Sequence, residues 1–274
     1  MRKRTGSVEL ASESDAPESD RHFITALHRG LEVLRAFRPD DRAGLSNGDL
    51  AQRTGLPNST VSRLTYTLLK SGYLGYDQDT GRYRMGLPVL SLGYACLSGM
   101  PVREAAQGYM QRLADDCGDG VLIALGGRVE HTMTYLACAR ARGVISLQLG
   151  VGSRISLARS AMGRAYLAAC PAEEREEFLA GAEANTDPAL WPKIKDGIAR
   201  AADEIAERGF YANLGEWQPG VHSISVPFRS PDAETPLLAV NLGGPSTYLP
   251  KDKLEKNFAP RLVELVQTLT QGRF

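Results

Sequence analysis

The stretch from Leu45 to Leu74, LSNGDLAQRTGLPNSTVSRLTYTLLKSGYL, constrains this chain more than any other segment. Its punctuation predicts two helices with a tight turn between them. Ser46 and Asp49 stand three apart, a spacing that lets each side chain satisfy the other's backbone N–H at a helix start. Leu50 and Ala51 fall on the inner face of that helix. Thr54-Gly55 closes it, because glycine accepts the left-handed backbone that ends a helix. Pro57 suits the opening turn of the next helix, and Ser71-Gly72 stops it. Val61, Leu64 and Leu68 are spaced three and four apart and so share one inward face. Asn58, Ser59, Ser62, Arg63 and Tyr66 fall on the opposite stripe.

The flanks complete a small domain. Ile24, Leu27, Leu31 and Leu34 recur at helical spacing across Phe23–Phe37, before Pro39 and Gly44 break the chain. Tyr73–Tyr76 and Arg82–Met85 read as two short strands, with Asp77–Gly81 as their turn. Three helices and a hairpin make a winged helix-turn-helix. Residues 21–86 hold 10 Lys/Arg against 6 Asp/Glu, whereas residues 87–274 hold 19 against 21. The first segment therefore suits a polyanion.

The chemistry of the second helix agrees with that partner. A major groove admits one helix, and short polar side chains and Arg read base edges there. The helix start also directs backbone N–H groups at phosphate. The candidate DNA contacts are Asn58, Ser59, Thr60, Ser62, Arg63 and Tyr66 on the helix, with Arg82 and Arg84 on the hairpin. Any one of them could equally belong to a solvated helix face. As a set they coincide with the turn, the hairpin and the charge.

Beyond residue 86, Pro88 and Pro101 each look like a helix start. Val121–Leu125, Val129–Ala137 and Val144–Leu149 read as strands, with Gly126-Gly127 as a hairpin signal. Helices follow near 160–169, 171–180 and 188–207. Strands return at Phe210–Asn213, His222–Phe228 and Leu237–Leu242, and Leu254 to Leu269 suggests a closing helix. The pattern predicts a mixed sheet flanked by helices. The resulting division is a disordered, Ser/Glu/Asp-rich tail at 1–20, a DNA-binding domain at 21–86, a linker helix at 87–100 and a second domain at 101–274.

Several function classes are disfavoured. Cys96, Cys117, Cys138 and Cys170 form no CxxC pair, so no metal site and no cofactor are expected, and reduced thiols in a cytoplasmic protein are the simple reading. No run of 18 apolar residues suggests a membrane span, and no apolar run follows Arg2-Lys3-Arg4 to make a signal peptide. None of the usual nucleophile, P-loop, zinc-protease or dinucleotide motifs occurs, so no enzyme is expected.

The segment Leu45–Leu74 resembles the winged helix-turn-helix of the IclR family of bacterial regulators. The matching residues are Thr54-Gly55-Leu56, Ser59-Thr60, Arg63-Leu64 and Gly72-Tyr73-Leu74, with Ala26–Leu31 before them and Tyr83–Leu87 after. Ser160-Ala161-Met162-Gly163-Arg164-Ala165-Tyr166-Leu167-Ala168 resembles a helix of the family's second domain. Gly209 to Pro245, with Glu216, Gly220 and Pro227 inside, resembles its long effector-domain signature. The resemblance implies an α+β, two-domain chain: the winged helix-turn-helix and a GAF-like effector-binding domain built on a curved antiparallel sheet. It implies a homodimer or dimer of dimers on double-stranded operator DNA, with RNA polymerase as a further partner.

The effector implied is a small molecule, such as a small organic or aromatic acid. Asn213 and Ser223 would make polar contacts to it, with Asn241 and Gly243 on the neighbouring strand. Val144, Leu147, Ala161 and Met162 would form the apolar and backbone wall. Small residues at Ser160, Ala161 and Gly163 suit either a carboxylate at a helix start or close helix–sheet packing. His222 alternates away from Ser223 on a strand. A constitutive DNA binder whose second domain only oligomerises stays open as the other reading.

Overall fold

A computed structural model describes residues 22–143 and 146–272. The expected tail at 1–20 and the candidate Val144 lie outside the described residues. The chain divides into two units between Tyr94 and Ala95.

The first unit contains α1 (Thr25–Arg35), α2 (Asn47–Thr54), α3 (Asn58–Lys70) and the hairpin β1 (Leu74–Asp77) and β2 (Arg82–Met85). The helix boundaries follow the sequence signals. The Ser46 N–H donates to Asp49 Oδ2 at 2.9 Å, and the Asp49 N–H donates to Ser46 Oγ at 3.1 Å. Gly55 ends α2 at φ 68°. Val33, Leu45, Leu50, Val61 and Leu74 form the core. The hairpin is anchored beyond its own turn, because Leu45 and Tyr83 exchange backbone hydrogen bonds of 2.9 and 2.7 Å. Gly44 makes that approach possible: at φ 81°, a Cβ there would stand 2.5 Å from the Tyr83 carbonyl oxygen.

Helix α1 forms where the spacing places it, but most of its apolar stripe faces away from the core. Its stripe of Ile24, Leu27 and Leu31 is exposed, and Val33 is the residue of α1 that enters the core. The next helix, α4 (Leu87–Ser98), buries none of its residues, and Leu87 and Leu90 are 82% and 72% exposed. Both helices carry apolar side chains that nothing in their own unit covers.

The second unit is built on a curved six-stranded sheet. In chain order its elements are α5 (Pro101–Cys117), β3 (Leu122–Val129), β4 (Thr132–Arg140), β5 (Arg154–Ser156), α6 (Ala161–Ala169), α7 (Ala172–Ala184) and α8 (Trp191–Arg208). Then come β6 (Tyr211–Leu214), β7 (Val221–Phe228), β8 (Leu238–Pro245), α9 (Lys251–Lys253), a π-helical turn at Leu254–Phe258, and α10 (Ala259–Thr270). The strand order is β5-β4-β3-β8-β7-β6, and every neighbouring pair is antiparallel. The sheet is therefore not mixed. Helices between strands suggested parallel crossovers, but the excursion from β5 through α6–α8 rejoins the sheet at its far edge.

Two local readings also change. Gly126-Gly127 lies inside β3 and is not the turn. Gly126 is small because Met162 Sδ fills the place its Cβ would take. The chain turns instead after Val129, where Glu130 takes φ 54°. The strand expected at Val144–Leu149 does not form over 146–149, and β5 comes later.

The sheet has an apolar layer on each face. Ile123, Leu125, Ile224, Val240 and Leu242 pack with residues of α5 and α10. Leu122, Ala124, Met133 and Tyr135 pack with Met162, Tyr166 and Leu167 of α6, backed by Phe178 of α7 and Ile198 of α8. A bulge in β4 sets this second face. The register passes from Leu125↔Ala137 to Gly126↔Tyr135, skipping Leu136. An unpaired extra residue reverses the alternation of the strand, so Tyr135 and Cys138 both join the α6 side.

Candidate functional site

The first unit presents α3 outward. Asn58, Ser59, Ser62, Arg63 and Tyr66 are exposed, and Thr60 is half-buried. The opening turn of α3 is tied to α2: Asn47 Nδ2 donates to the Asn58 Oδ1 at 3.0 Å, and Ser62 Oγ donates to the Asn58 carbonyl at 3.0 Å. Asn47, which sequence reasoning did not single out, thus fixes the angle between the two helices. Arg63 makes no ion pair among the described residues. Thr25, Ala26 and Arg29 of α1 join Thr60, Arg63 and Tyr66 around a concavity of about 840 Å³. Arg29 is a second outward cation there, and only the packing of α1 on α3 brings it in.

The two hairpin arginines differ. The Arg82 guanidinium donates to the Gly44 carbonyl at 2.8 Å and reaches Asp49 Oδ2 at 3.3 Å. Arg82 is thus a strut between hairpin and α2. The Ser46 backbone and hydroxyl, then Arg82, hold the Asp49 carboxyl below the usual carboxylate range. Arg84 is exposed and lies 3.5 Å from Asp77, leaving most of its donors outward.

In the second unit, strand register assembles the polar candidates. Asn213 pairs with Ser223, Ser223 with Gly243, and Gly243 with Leu122. Asn241 is one step along, between Ser225 and Ala124. Side chains two residues apart on a strand share a face, and this is the face covered by α6. Ala161 and Met162 open that helix, and Leu147 packs against the same cluster.

Their hydrogen bonding separates them. Asn213 is fully committed. Its Nδ2 donates to the Arg159 carbonyl at 2.9 Å, and its Oδ1 accepts from the Glu216 and Trp217 N–H groups at 3.0 and 3.2 Å. It pins the turn after β6. Ser160 caps α6, accepting from the Gly163 N–H at 3.0 Å. Ser223 and Asn241 are different. They are 7% and 6% exposed, yet neither side chain makes a hydrogen bond among the described residues. Both lean over Gly243, where a Cβ would stand 3.0 Å from Ser223 Cβ and 3.3 Å from Asn241 Nδ2. Their polar atoms keep a little exposure, unlike Trp191 Nε1, which is fully enclosed without a hydrogen-bond partner among the described residues. His222 faces the other way, with its Nδ1 2.8 Å from the Leu249 carbonyl.

A buried charge cluster lies behind α6. Arg164 is 2% exposed. Its Nε donates to the Ala158 carbonyl at 3.0 Å, and its Nη1 donates to the Tyr211 hydroxyl and to Glu216 Oε2, the latter at 2.7 Å. The second Glu216 oxygen accepts from Arg200 at 2.7 Å. Burial pushes the Glu216 carboxyl up, but Arg164 and then Arg200 outweigh it and hold it below the usual range. In the sequence, Arg164 and Glu216 were visible only as positions in two resembling motifs 52 residues apart.

Among the described residues no helix is long and apolar enough to cross a membrane. The model of the IclR helix-turn-helix domain matches residues 26–78, and that of the bacterial transcriptional regulator IclR C-terminal domain matches residues 94–271. The chain is 30% identical over 258 residues to the Pca regulon regulatory protein of Pseudomonas putida, covering 93% of this chain and 86% of that one. An IclR family transcriptional regulator from Brucella abortus superposes with a TM-score of 0.86 at 40% identity, covering 95% and 96% of the two chains. An IclR homologue from Microbacterium hydrocarbonoxydans complexed with 4-hydroxybenzoate shares the fold at a TM-score of 0.64 and 22% identity, covering 90% and 96%. These relatives are regulators, not enzymes. With a helix-turn-helix at residues 26–78 and the matching sheet domain after it, this chain belongs to the IclR family of DNA-binding transcriptional regulators.

Proposed function

We propose that this regulator's hold on its operator is controlled by a small organic or aromatic acid bound between α6 and the sheet. The observation that carries this reading is the pair Ser223 and Asn241: two nearly buried polar side chains with no hydrogen-bond partner among the described residues, side by side over Gly243. Both side chains are free to hydrogen-bond an occupant without breaking a hydrogen bond among the described residues, at about 0.5–1.5 kcal/mol for each bond made. The start of α6, at Ala161 and Met162, offers N–H groups that favour a carboxylate. The Microbacterium hydrocarbonoxydans homologue is complexed with 4-hydroxybenzoate, an aromatic acid, which agrees with this class. The ligand shifts the balance between operator-binding states by its difference in affinity for them, and by no more.

On DNA, α3 enters the major groove, with Arg63 reading a base edge and Arg29 and Arg84 holding phosphates. A second copy covers the exposed apolar side chains of α1 and of Leu87–Tyr94, so that paired recognition helices meet a two-fold operator.

The test is a thermal-shift screen of the full chain against small carboxylates, followed by operator titrations with any hit. A specific ligand raises the melting temperature by mass action and changes operator affinity. Operator binding that no acid alters, with no thermal shift, refutes the sensor and favours a constitutive DNA binder.

A further inference from the structure

Tyr135 carries a hydroxyl that neither the fold nor the DNA-binding surface uses. It is 2% exposed, and its hydroxyl makes no hydrogen bond among the described residues. The bulge in β4 turns it to the α6 face, in the same apolar cluster as Leu122, Ala124 and Met162. Elsewhere on this face Ser225, Asn213, Tyr211 and Arg164 are all satisfied by the protein. Tyr135, Ser223 and Asn241 are nearly buried polar side chains of this face that make no hydrogen bond among the described residues.

Register sets their separation. Cys138 pairs with Ala124, and Ala124 pairs with Asn241, so Cys138 and Asn241 lie in one row with a small residue between them. Two strand spacings put these columns about 10 Å apart. Tyr135 is one step along β4 from Cys138, beside Gly126, whose space Met162 fills. The residues between them, Ala124 and Gly126, are small, and Met162 packs over Gly126.

The two sides differ in charge preference. Burial, and then the neighbouring Cys138, push the Tyr135 phenol above its ordinary range, and burial pushes the Cys138 thiol to about 11. Both stay neutral at neutral pH in a poorly solvated place, which is hostile to a second carboxylate. The other side has Ser, Asn and the α6 start, which suit one.

We propose that the Tyr135 hydroxyl is a specificity-determining contact, hydrogen-bonding a neutral hydroxyl or carbonyl group of the ligand opposite the carboxylate held near Ser223 and Asn241. The ligand class is then a monocarboxylate bearing one such group across a short apolar body. This inference rests on the effector reading above.

The experiment is calorimetric titration of the full chain and of Tyr135→Phe with matched pairs whose hydroxyl lies across a ring from the carboxylate: benzoate against 4-hydroxybenzoate, and phenylacetate against 4-hydroxyphenylacetate. For at least one pair, the unaltered protein binds the hydroxylated member about tenfold more tightly, the size expected of one buried hydrogen bond. Tyr135→Phe brings that pair to within about twofold while the affinity for the plain acid holds. The melting temperature of the ligand-free variant does not fall, because no hydrogen bond to a described residue is lost. Discrimination that survives in Tyr135→Phe overturns the inference and leaves the effector reading standing. So does a lowered melting temperature with both acids weakened alike, which marks a structural hydroxyl. If the unaltered protein binds none of the acids, the effector reading fails and this inference falls with it.

Discussion

The guanidinium of Arg164 occupies the space beside Gly197, where a Cβ on that glycine would collide with its Cζ. Helix α8 can lie against α6 there because one partner has no side chain and the other is long and flat. The contact places the guanidinium between Tyr211 and Glu216 and so fixes the turn that Asn213 also holds.

Gly197→Ala should therefore displace a buried cation. Overpacking of a filled site costs about 1–3 kcal/mol. Denaturant unfolding of the variant should show a lower midpoint at an unchanged slope. A wild-type midpoint would mean that Arg164 can leave its place freely.

The Glu216 carboxyl makes acid stability a readout of the same cluster. Its folded pKa lies below its unfolded one, so its contribution is present above the usual carboxylate range. That contribution is lost as pH falls through the folded pKa. Glu216→Gln should lower stability at neutral pH and flatten its fall toward acid. Melting curves from neutral pH down to the acid limit check both signs.

Arg63 and Arg82 should separate reading from scaffolding. Arg63→Ala should weaken operator binding by about 1–3 kcal/mol, with random DNA less affected. Arg82→Ala should lower the melting temperature as well, since it removes the strut to Gly44 and Asp49. Equal losses of Arg63→Ala on operator and random DNA would make Arg63 a phosphate contact.

Ser223→Ala removes a polar group that has no hydrogen-bond partner among the described residues. We expect ligand-free stability to hold or rise slightly, and the response to an acid effector to weaken. A clear loss of ligand-free stability would show that the hydroxyl serves the fold.

Leu27→Glu combined with Leu90→Glu puts charge on apolar surfaces of α1 and α4 that their own unit leaves uncovered. Analytical ultracentrifugation should show weaker self-association, and operator affinity should fall with it. Unchanged association would place the interface elsewhere.

Much of the first unit was legible because its signals are local. Ser46 with Asp49 and the left-handed Gly55 act within four residues, so spacing alone locates them. The α1 stripe located a helix but not its cover, since Ile24, Leu27 and Leu31 recur at helical spacing yet lie exposed: periodicity reports that a face is apolar, not what covers it. Gly126-Gly127 misled, because a glycine made necessary by Met162, far along the chain, looks like a turn.

Local signals were enough for the helix-turn-helix, the outward stripe of α3, the positions of most strands and the motifs that resemble one family. These depend on caps, breakers and alternation, which act over a few residues. Which polar side chains are spent and which are bare emerged only from the folded arrangement. Asn213 and Ser223 face each other across one ladder step, yet Asn213 is consumed by Arg159, Glu216 and Trp217 while Ser223 has no hydrogen-bond partner among the described residues. Hydrogen-bond satisfaction is settled by groups brought from distant strands and turns, and a linear pattern does not carry that information.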